Sequence, residues 1–418
     1  MRVYLLTFIL FVSYSVFPAY LLIPMDESQK NHLKAYGVAF WALEQDVSVS
    51  WLLNYRGGSF MLKQHESIEN ELLVRGVSYE LISDVRSTAI LLEIQNPEVN
   101  MDEVKLEKAP KIAVYSPKNA LPWDDAVTLV LTYAEIPYTV IYDEEIIRGD
   151  LHLYDWLHLH HEDFTGQYGK FYGRYRNYPW YKEQVRVSEA MAAKLGYSKV
   201  SKLKLDVAIK IREYVSGGGF MFSMCSGTDS YDVALAAHSV DICESMFDGD
   251  PATPNLNSKL DFTETFAFTN FKVSENPLEP EFSNIDATPS HTRTAEHIDL
   301  FTLFEFSAKW DPVPTMLCQN HESIIKGFMG LTTAYNKQFI KPSVLILGEN
   351  KSLNSAKYLH GKYGNGTWTF YGGHDPEDYQ HFVGDPATQL ELYPNSPGYR
   401  LILNNVLFPA AKKKKQKT

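Results

Sequence analysis

The chain has 418 residues, 45% of them hydrophobic and 13% aromatic, which is enough to bury a substantial core in one large or two to three ordinary domains. A formal net charge of -12 excludes a nucleic-acid backbone as the main partner, because neutralising phosphates needs a basic face. The dense basic cluster Lys412 to Lys415 falls in a terminal stretch, residues 411–418, that reads as a solvated tail.

Arg2, the apolar run Val3 to Val12 and the small residues that follow have the layout of a secretory leader. Residues 1–18 are therefore expected to be a signal peptide, and the mature protein to be exported, with no stable membrane span after cleavage. Tyr20 to Pro24 reads as a strand, with Asp26 and Gln29 suited to an N-cap and its N3 partner. Leu33, Tyr36, Phe40 and Leu43 recur at helical spacing, and Val47 to Leu53 reads as the next strand, giving a β-α-β opening. A second round follows: strand Lys111 to Tyr115, helix Asp124 to Ala134, and strands Tyr138 to Tyr142 and Trp156 to His160. Leu205, Ala208 and Ile209 mark a helix leading to the next strand. Strands alternating with helices predict an α/β, doubly wound, mostly parallel sheet with ligands at the carboxyl ends of its strands.

The most informative stretch is GGGFMFSMCSGTDSYDVALAA. A glycine-led apolar run ends in Ser223, Met224, Cys225, Ser226 and Gly227, and a helix-like segment from Asp229 to Ala237 follows at once. Small neighbours around a cysteine between strand and helix are what a nucleophile elbow needs. The nucleophile's backbone is strained there, and the helix N-terminus lowers a thiol's pKa and offers N–H groups to an oxyanion.

Residues 248–339 break the alternation with runs rich in Asp, Pro, Asn and Ser, and are expected to form an insertion or lid. Beyond them, Lys357 to Lys362 and Thr367 to Tyr371 flank the turn signal Tyr363-Gly364-Asn365-Gly366, so a hairpin delivers Gly372, Gly373 and His374. Glu377 follows three residues later, where a turn through Pro376 would let it orient the imidazole. Nucleophile, base and orienter are thus Cys225, His374 and Glu377.

The elbow, the later glycine-rich hairpin and the His374-Asp375-Pro376-Glu377 step resemble the class I glutamine amidotransferase-like superfamily over residues 19–247 and 340–380, with the domain itself expected to span 19–247 and 340–410. That resemblance implies a flavodoxin-like sheet, a Cys-His-Glu triad and an active-site wall at the loop His161-Glu162 that supplies one oxyanion N–H, the other coming from Ser226 before Gly227. The sequence departs from the family pattern at Ser223 and at Thr228-Asp229, and its step is one residue longer than H-P-E. The whole chain also resembles bacterial proteins carrying the name asparagine synthetase B. It has Arg2 where such an enzyme has an N-terminal cysteine, and Ser226 to Ser230 is one residue short of the pyrophosphate loop.

His152, His158, His160, His161, Glu162 and Asp163 have side chains competent to bind zinc. The reading adopted is a strand and the loop at its end, with no metal and no cofactor, because side chains alternate faces along a strand. Arg174 in the Tyr-rich loop and Arg56 in the Arg56-Gly57-Gly58 turn are candidates for substrate contact. The expected function is cysteine-dependent hydrolysis of a carboxamide or related acyl bond in a small molecule. The alternatives are ATP-dependent amidation and a catalytically inactive exported binding protein.

Overall fold

The computed structural model describes residues 19–117, 125–291, 294–380 and 382–412; the expected leader and most of the expected basic tail lie outside them. Fifteen strands are described in chain order. The first five are β1 (Tyr20–Ile23), β2 (Val49–Leu53), β3 (Ser59–Lys63), β4 (Glu80–Ile82) and β5 (Asp102–Leu106). Then come β6 (Ile112–Tyr115), β7 (Thr139–Ile141), β8 (Trp156–Leu159), β9 (Phe220–Met224) and β10 (Leu300–Leu303). The last are β11 (Ile324–Lys326), β12 (Tyr335–Asn336), β13 (Leu345–Asn350), β14 (Ser355–Tyr363) and β15 (Gly366–Tyr371).

They form two sheets, one of five strands in the order β4-β1-β3-β2-β5 and one of ten in the order β11-β10-β13-β14-β15-β9-β8-β6-β7, with β12 paired to β14. This corrects the expected doubly wound, mostly parallel, flavodoxin-like sheet. Every pairing in the five-stranded sheet is antiparallel. In the larger sheet, four parallel pairings, β7-β6, β6-β8, β8-β9 and β9-β15, meet five antiparallel ones beyond β15.

The expected β-α-β opening is present but split. The helix His32–Glu44 carries the chain from β1 to β2, and β3 inserts between them antiparallel to both. The turn at Asn54 to Gly58 causes this, since Asn54, Arg56, Gly57 and Gly58 all have positive φ and fold the chain straight back on itself. That helix is capped by Asn31, whose side chain accepts from the Lys34 N–H at 2.9 Å, not by Asp26. Its Leu33, Tyr36, Phe40 and Leu43 are buried as their spacing predicts.

The hairpin of β14 and β15 sets the rest of the larger sheet. Gly364 and Asn365 form its two-residue turn, with Gly364 at φ +58°, so the sheet must continue antiparallel past β15. The segment expected as an insertion contributes β10, β11 and β12 to this same sheet. No helix among the described residues is long and apolar enough to cross a membrane.

The helix Pro397–Leu407 joins the two sheets through one apolar core. Arg400 on it is fully buried and donates to the carbonyls of Met25 and Gly57 and to the Tyr36 hydroxyl, tying the helix to the first turn of the smaller sheet. Replacing it leaves those buried acceptors unpaired. Arg400→Met is expected to lower unfolding free energy by at least about 2 kcal/mol in urea titrations. A loss below about 0.5 kcal/mol would show that Arg400 does not hold the two sheets together.

Candidate active site

Parallel pairing brings three strand ends to one edge. Leu159 on β8 pairs with Ser223 on β9, and Phe370 on β15 pairs with Ser223 from the other side. The residues just past these ends are His160, Cys225 and, two glycines beyond β15, His374.

Cys225 sits between β9 and the helix Ser226–Ala236 with φ 53° and ψ -142°, a strained conformation for a residue with a Cβ and the one a nucleophile elbow requires. Its N–H donates to the Gly373 carbonyl at 3.1 Å, locking the elbow to the histidine strand. Thr228 donates from both N–H and hydroxyl to the Cys225 carbonyl, at 3.2 and 2.7 Å. The Gly227 N–H donates to the His160 carbonyl at 2.6 Å, and a Cβ on Gly227 would fall on that oxygen. Only glycine allows the helix to start this close to β8.

The Cys225 sulfur and one ring nitrogen each from His160 and His374 lie within 4.8 Å of one another. The His160 and His374 rings stack with centroids 4.5 Å apart, and His161 lies 5.9 Å from His374. All of this is enclosed, with Cys225 at 1% and His374 at 4% exposure. Burial pushes the thiol up to about 12, against the N–H groups of Ser226 and Leu331 that point at the sulfur and favour the thiolate.

Leu331 belongs to the cover. Met329 to Thr333 cross the site, Gly330 is pressed so close that a Cβ would stand 2.6 Å from the His374 Cβ, and the Gly373 N–H donates to the Thr332 carbonyl at 2.9 Å. The Thr332 hydroxyl donates to Asp229 at 2.9 Å, one turn into the elbow helix. Burial and then neighbouring Asp286 push the Asp229 carboxyl well above the ordinary carboxylate range.

The carboxylate that faces the imidazoles is Asp125. Its Oδ1 caps the helix Ala126–Tyr133, accepting from Val127 and Thr128 N–H at 2.8 and 3.0 Å. Its Oδ2 lies 3.1 Å from His158 Nε2, as a hydrogen bond, and 3.1 Å from His160 Nδ1, as a close contact off the hydrogen-bond axis. Burial would raise this carboxyl, but the two imidazoles outweigh it and hold it well below the usual range.

The other residues singled out from the sequence fall elsewhere. Glu377 is near-buried and its carboxylate faces Ser396 and Lys326, the latter at 3.8 Å. Asp375 shapes the turn instead, its Oδ1 accepting from the Glu377 N–H at 2.9 Å and its Oδ2 from the Tyr399 hydroxyl at 2.7 Å. The Glu162 side chain accepts from the Tyr142 hydroxyl at 3.3 Å, in a cluster with Lys204 and Asp143, and burial pushes it to about 7. Arg56 is ion-paired with Asp26 and Glu80 in the smaller sheet, and Arg174 lies over the Tyr175 ring. A polar hollow of about 600 Å³ beside the Arg56 turn is lined by Asp26, Asn54, Gly57 and His321, and Cys225, His160 and His374 do not line it. Ser226 to Ser230 are helical and buried, the geometry of an elbow helix and not of an open loop around a nucleotide.

The sequence reading missed Asp125 and the Met329 to Thr333 cover. Asp125 stands immediately before an apolar helical run, which is an N-cap signal, and His158 and His160 share one strand face; together those signals pointed to the cluster.

No family model and no curated protein matches this chain. Among solved structures, a cytoplasmic protein from Salmonella typhimurium aligns at 10% identity and TM-score 0.35, covering 72% of this chain and 100% of its own. A second cytoplasmic protein, from Salmonella typhimurium LT2, aligns at 11% identity and TM-score 0.32, covering 72% and 99%. A GH42 beta-galactosidase, Gan42B, aligns at 10% identity and TM-score 0.28, covering 64% of this chain and 28% of the enzyme. The two Salmonella proteins are titled cytoplasmic, and the expected signal peptide of this chain, residues 1–18, lies outside the described residues.

Gly227 gives this arrangement its sharpest structural test. Gly227→Ala is expected to cost at least about 2 kcal/mol, because the clash is with backbone. Gly76→Ala, at φ 69° with open space around it, should cost about 1 kcal/mol or less. Equal urea midpoints for the two variants would mean that the close approach to His160 is not there.

Proposed function

We propose that this protein is a cysteine-dependent hydrolase of a carboxamide or related acyl bond, in the manner of the class I glutamine amidotransferase-like enzymes its motifs resemble. The observation that carries the proposal is the strained Cys225 backbone with an imidazole nitrogen of His374 within 4.8 Å of its sulfur. A core cysteine has no need of a positive φ. Such strain persists where the surrounding structure enforces it, and here three backbone hydrogen bonds do.

In this reading Cys225 gives its proton to His374 and attacks the carbonyl carbon. The Ser226 and Leu331 N–H groups, already aimed at the sulfur, are the donors nearest the developing oxyanion. His374 returns the proton to the leaving amine, and water then releases the acyl group from sulfur. His160, stacked on His374 and facing Asp125, keeps the second imidazole and a carboxylate behind the base. Substrate enters only when the Met329 to Thr333 cover lifts, since the thiol is 1% exposed in the closed arrangement.

The closed, raised thiol favours one second reading, a binding protein on this scaffold that does no acyl chemistry. The two separate in assays against a panel of carboxamides and activated acyl esters. Cys225→Ser is expected to lower kcat/KM at least about 1,000-fold and His374→Ala about 100-fold or more. Glu377→Gln should cost less than about 10-fold, because its carboxylate lies at Ser396 and Lys326. Activity that survives Cys225→Ser, or no turnover of any acyl donor by the wild-type chain, removes the hydrolase reading and leaves the binding protein.

A further inference from the structure

We infer that Cys225, His160 and His374 also form a binding site for one zinc-class divalent cation, held by a thiolate and two imidazoles. This inference stands on donor geometry and does not depend on acyl transfer.

The three donors come from three strand ends fixed to one another by backbone hydrogen bonds, and all three side chains are buried. Their donor atoms already lie within 4.8 Å of one another. Tetrahedral zinc, with bonds of about 2.3 Å to sulfur and about 2.0 to 2.1 Å to nitrogen, sets donor atoms about 3.3 to 3.6 Å apart. Each pair therefore has to close by no more than roughly 1.5 Å. Soft thiolate with imidazole selects zinc-class ions over magnesium or calcium, and three protein donors leave a fourth position open.

A second observation points to a ligand independently of the cluster. The His160 side chain is 2% exposed, and its Nε2 makes no hydrogen bond among the described residues. A buried ring nitrogen left without a partner carries a desolvation cost that a metal bond removes. The opposite edge of that ring lies 3.1 Å from an Asp125 oxygen, off the hydrogen-bond axis, so a small turn of the ring that aims Nε2 at a metal can also bring Nδ1–H onto the carboxylate.

Two other clusters are weaker candidates. Asp125, His158 and His160 also lie within 4.8 Å of one another, but Asp125 is already spent on the helix cap and on His158. In the cluster Asp241, Cys243 and Asp248, both carboxylates already pair with the Lys199 ammonium, at 2.8 and 3.0 Å, so a cation already occupies their charge.

On binding, the Cys225 S–H bond breaks, the proton leaves to buffer and a sulfur–metal bond forms, with no change of oxidation state. The metal then occupies the lone pair that acyl transfer would use, so a metal-loaded protein is a resting form.

The test is titration of the full, chelator-treated chain with Co²⁺, read as a thiolate-to-cobalt charge-transfer band in the near ultraviolet. One equivalent is expected to develop the band, Cys243→Ser and Cys318→Ser to keep it, and Cys225→Ser to abolish it. His160→Ala and His374→Ala should each raise the Co²⁺ Kd at least tenfold, which decides the matter if Cys225→Ser fails to fold. No band, a band that survives Cys225→Ser, or one lost in Cys243→Ser overturns the site. Because this readout needs no turnover, it stands or falls separately from the hydrolase reading.

Discussion

The candidate site depends on one constraint, the left-handed turn at Cys225. Its N–H reaches across to Gly373 and its helix starts with Gly227 against the His160 carbonyl, so the turn fastens the ends of β8, β9 and β15 into one edge. A residue with a Cβ adopts φ 53°, ψ -142° only at an energetic cost of order 1 to 3 kcal/mol, and the hydrogen bonds on both sides offset it. Remove that turn and His160, Cys225 and His374 lose their common address.

The same constraint explains why the site is closed. The cover from Met329 to Thr333 gives the sulfur its Leu331 N–H and ties itself to the elbow helix through Thr332 and Asp229. Lys357, buried on β14, donates to the Phe328 carbonyl at 3.0 Å and fixes the cover's approach. Burial lowers that lysine to about 8, which is tolerable only because Asp299 and Asp286 stand near. Enclosure raises the thiol's pKa and strengthens every dipole aimed at it.

Much of this was legible in the sequence where local chemistry decides the outcome. Small residues around Cys225, the Gly364-Asn365 turn and the helical spacing of Leu33 to Leu43 each specify backbone directly. Strand direction was not legible, because alternation of strand and helix looks the same whether β3 inserts between β1 and β2 or lies outside them. Glu377 illustrates a second limit. Asp375 takes the N–H groups of the turn after His374, and Glu377 faces Ser396 and Lys326. Asp125 was missed for a third reason, since 33 residues of chain separate it from His158 and only the fold brings them together.

The claim that Cys225 is a nucleophile is tested most directly by acid quench of the protein during reaction with an activated acyl donor, followed by intact mass and peptide mapping. The account predicts a single acyl adduct on the peptide that holds Cys225, absent after His374→Ala. An adduct on Cys243 or Cys318 instead, or none at any time point while the donor is consumed, would contradict it.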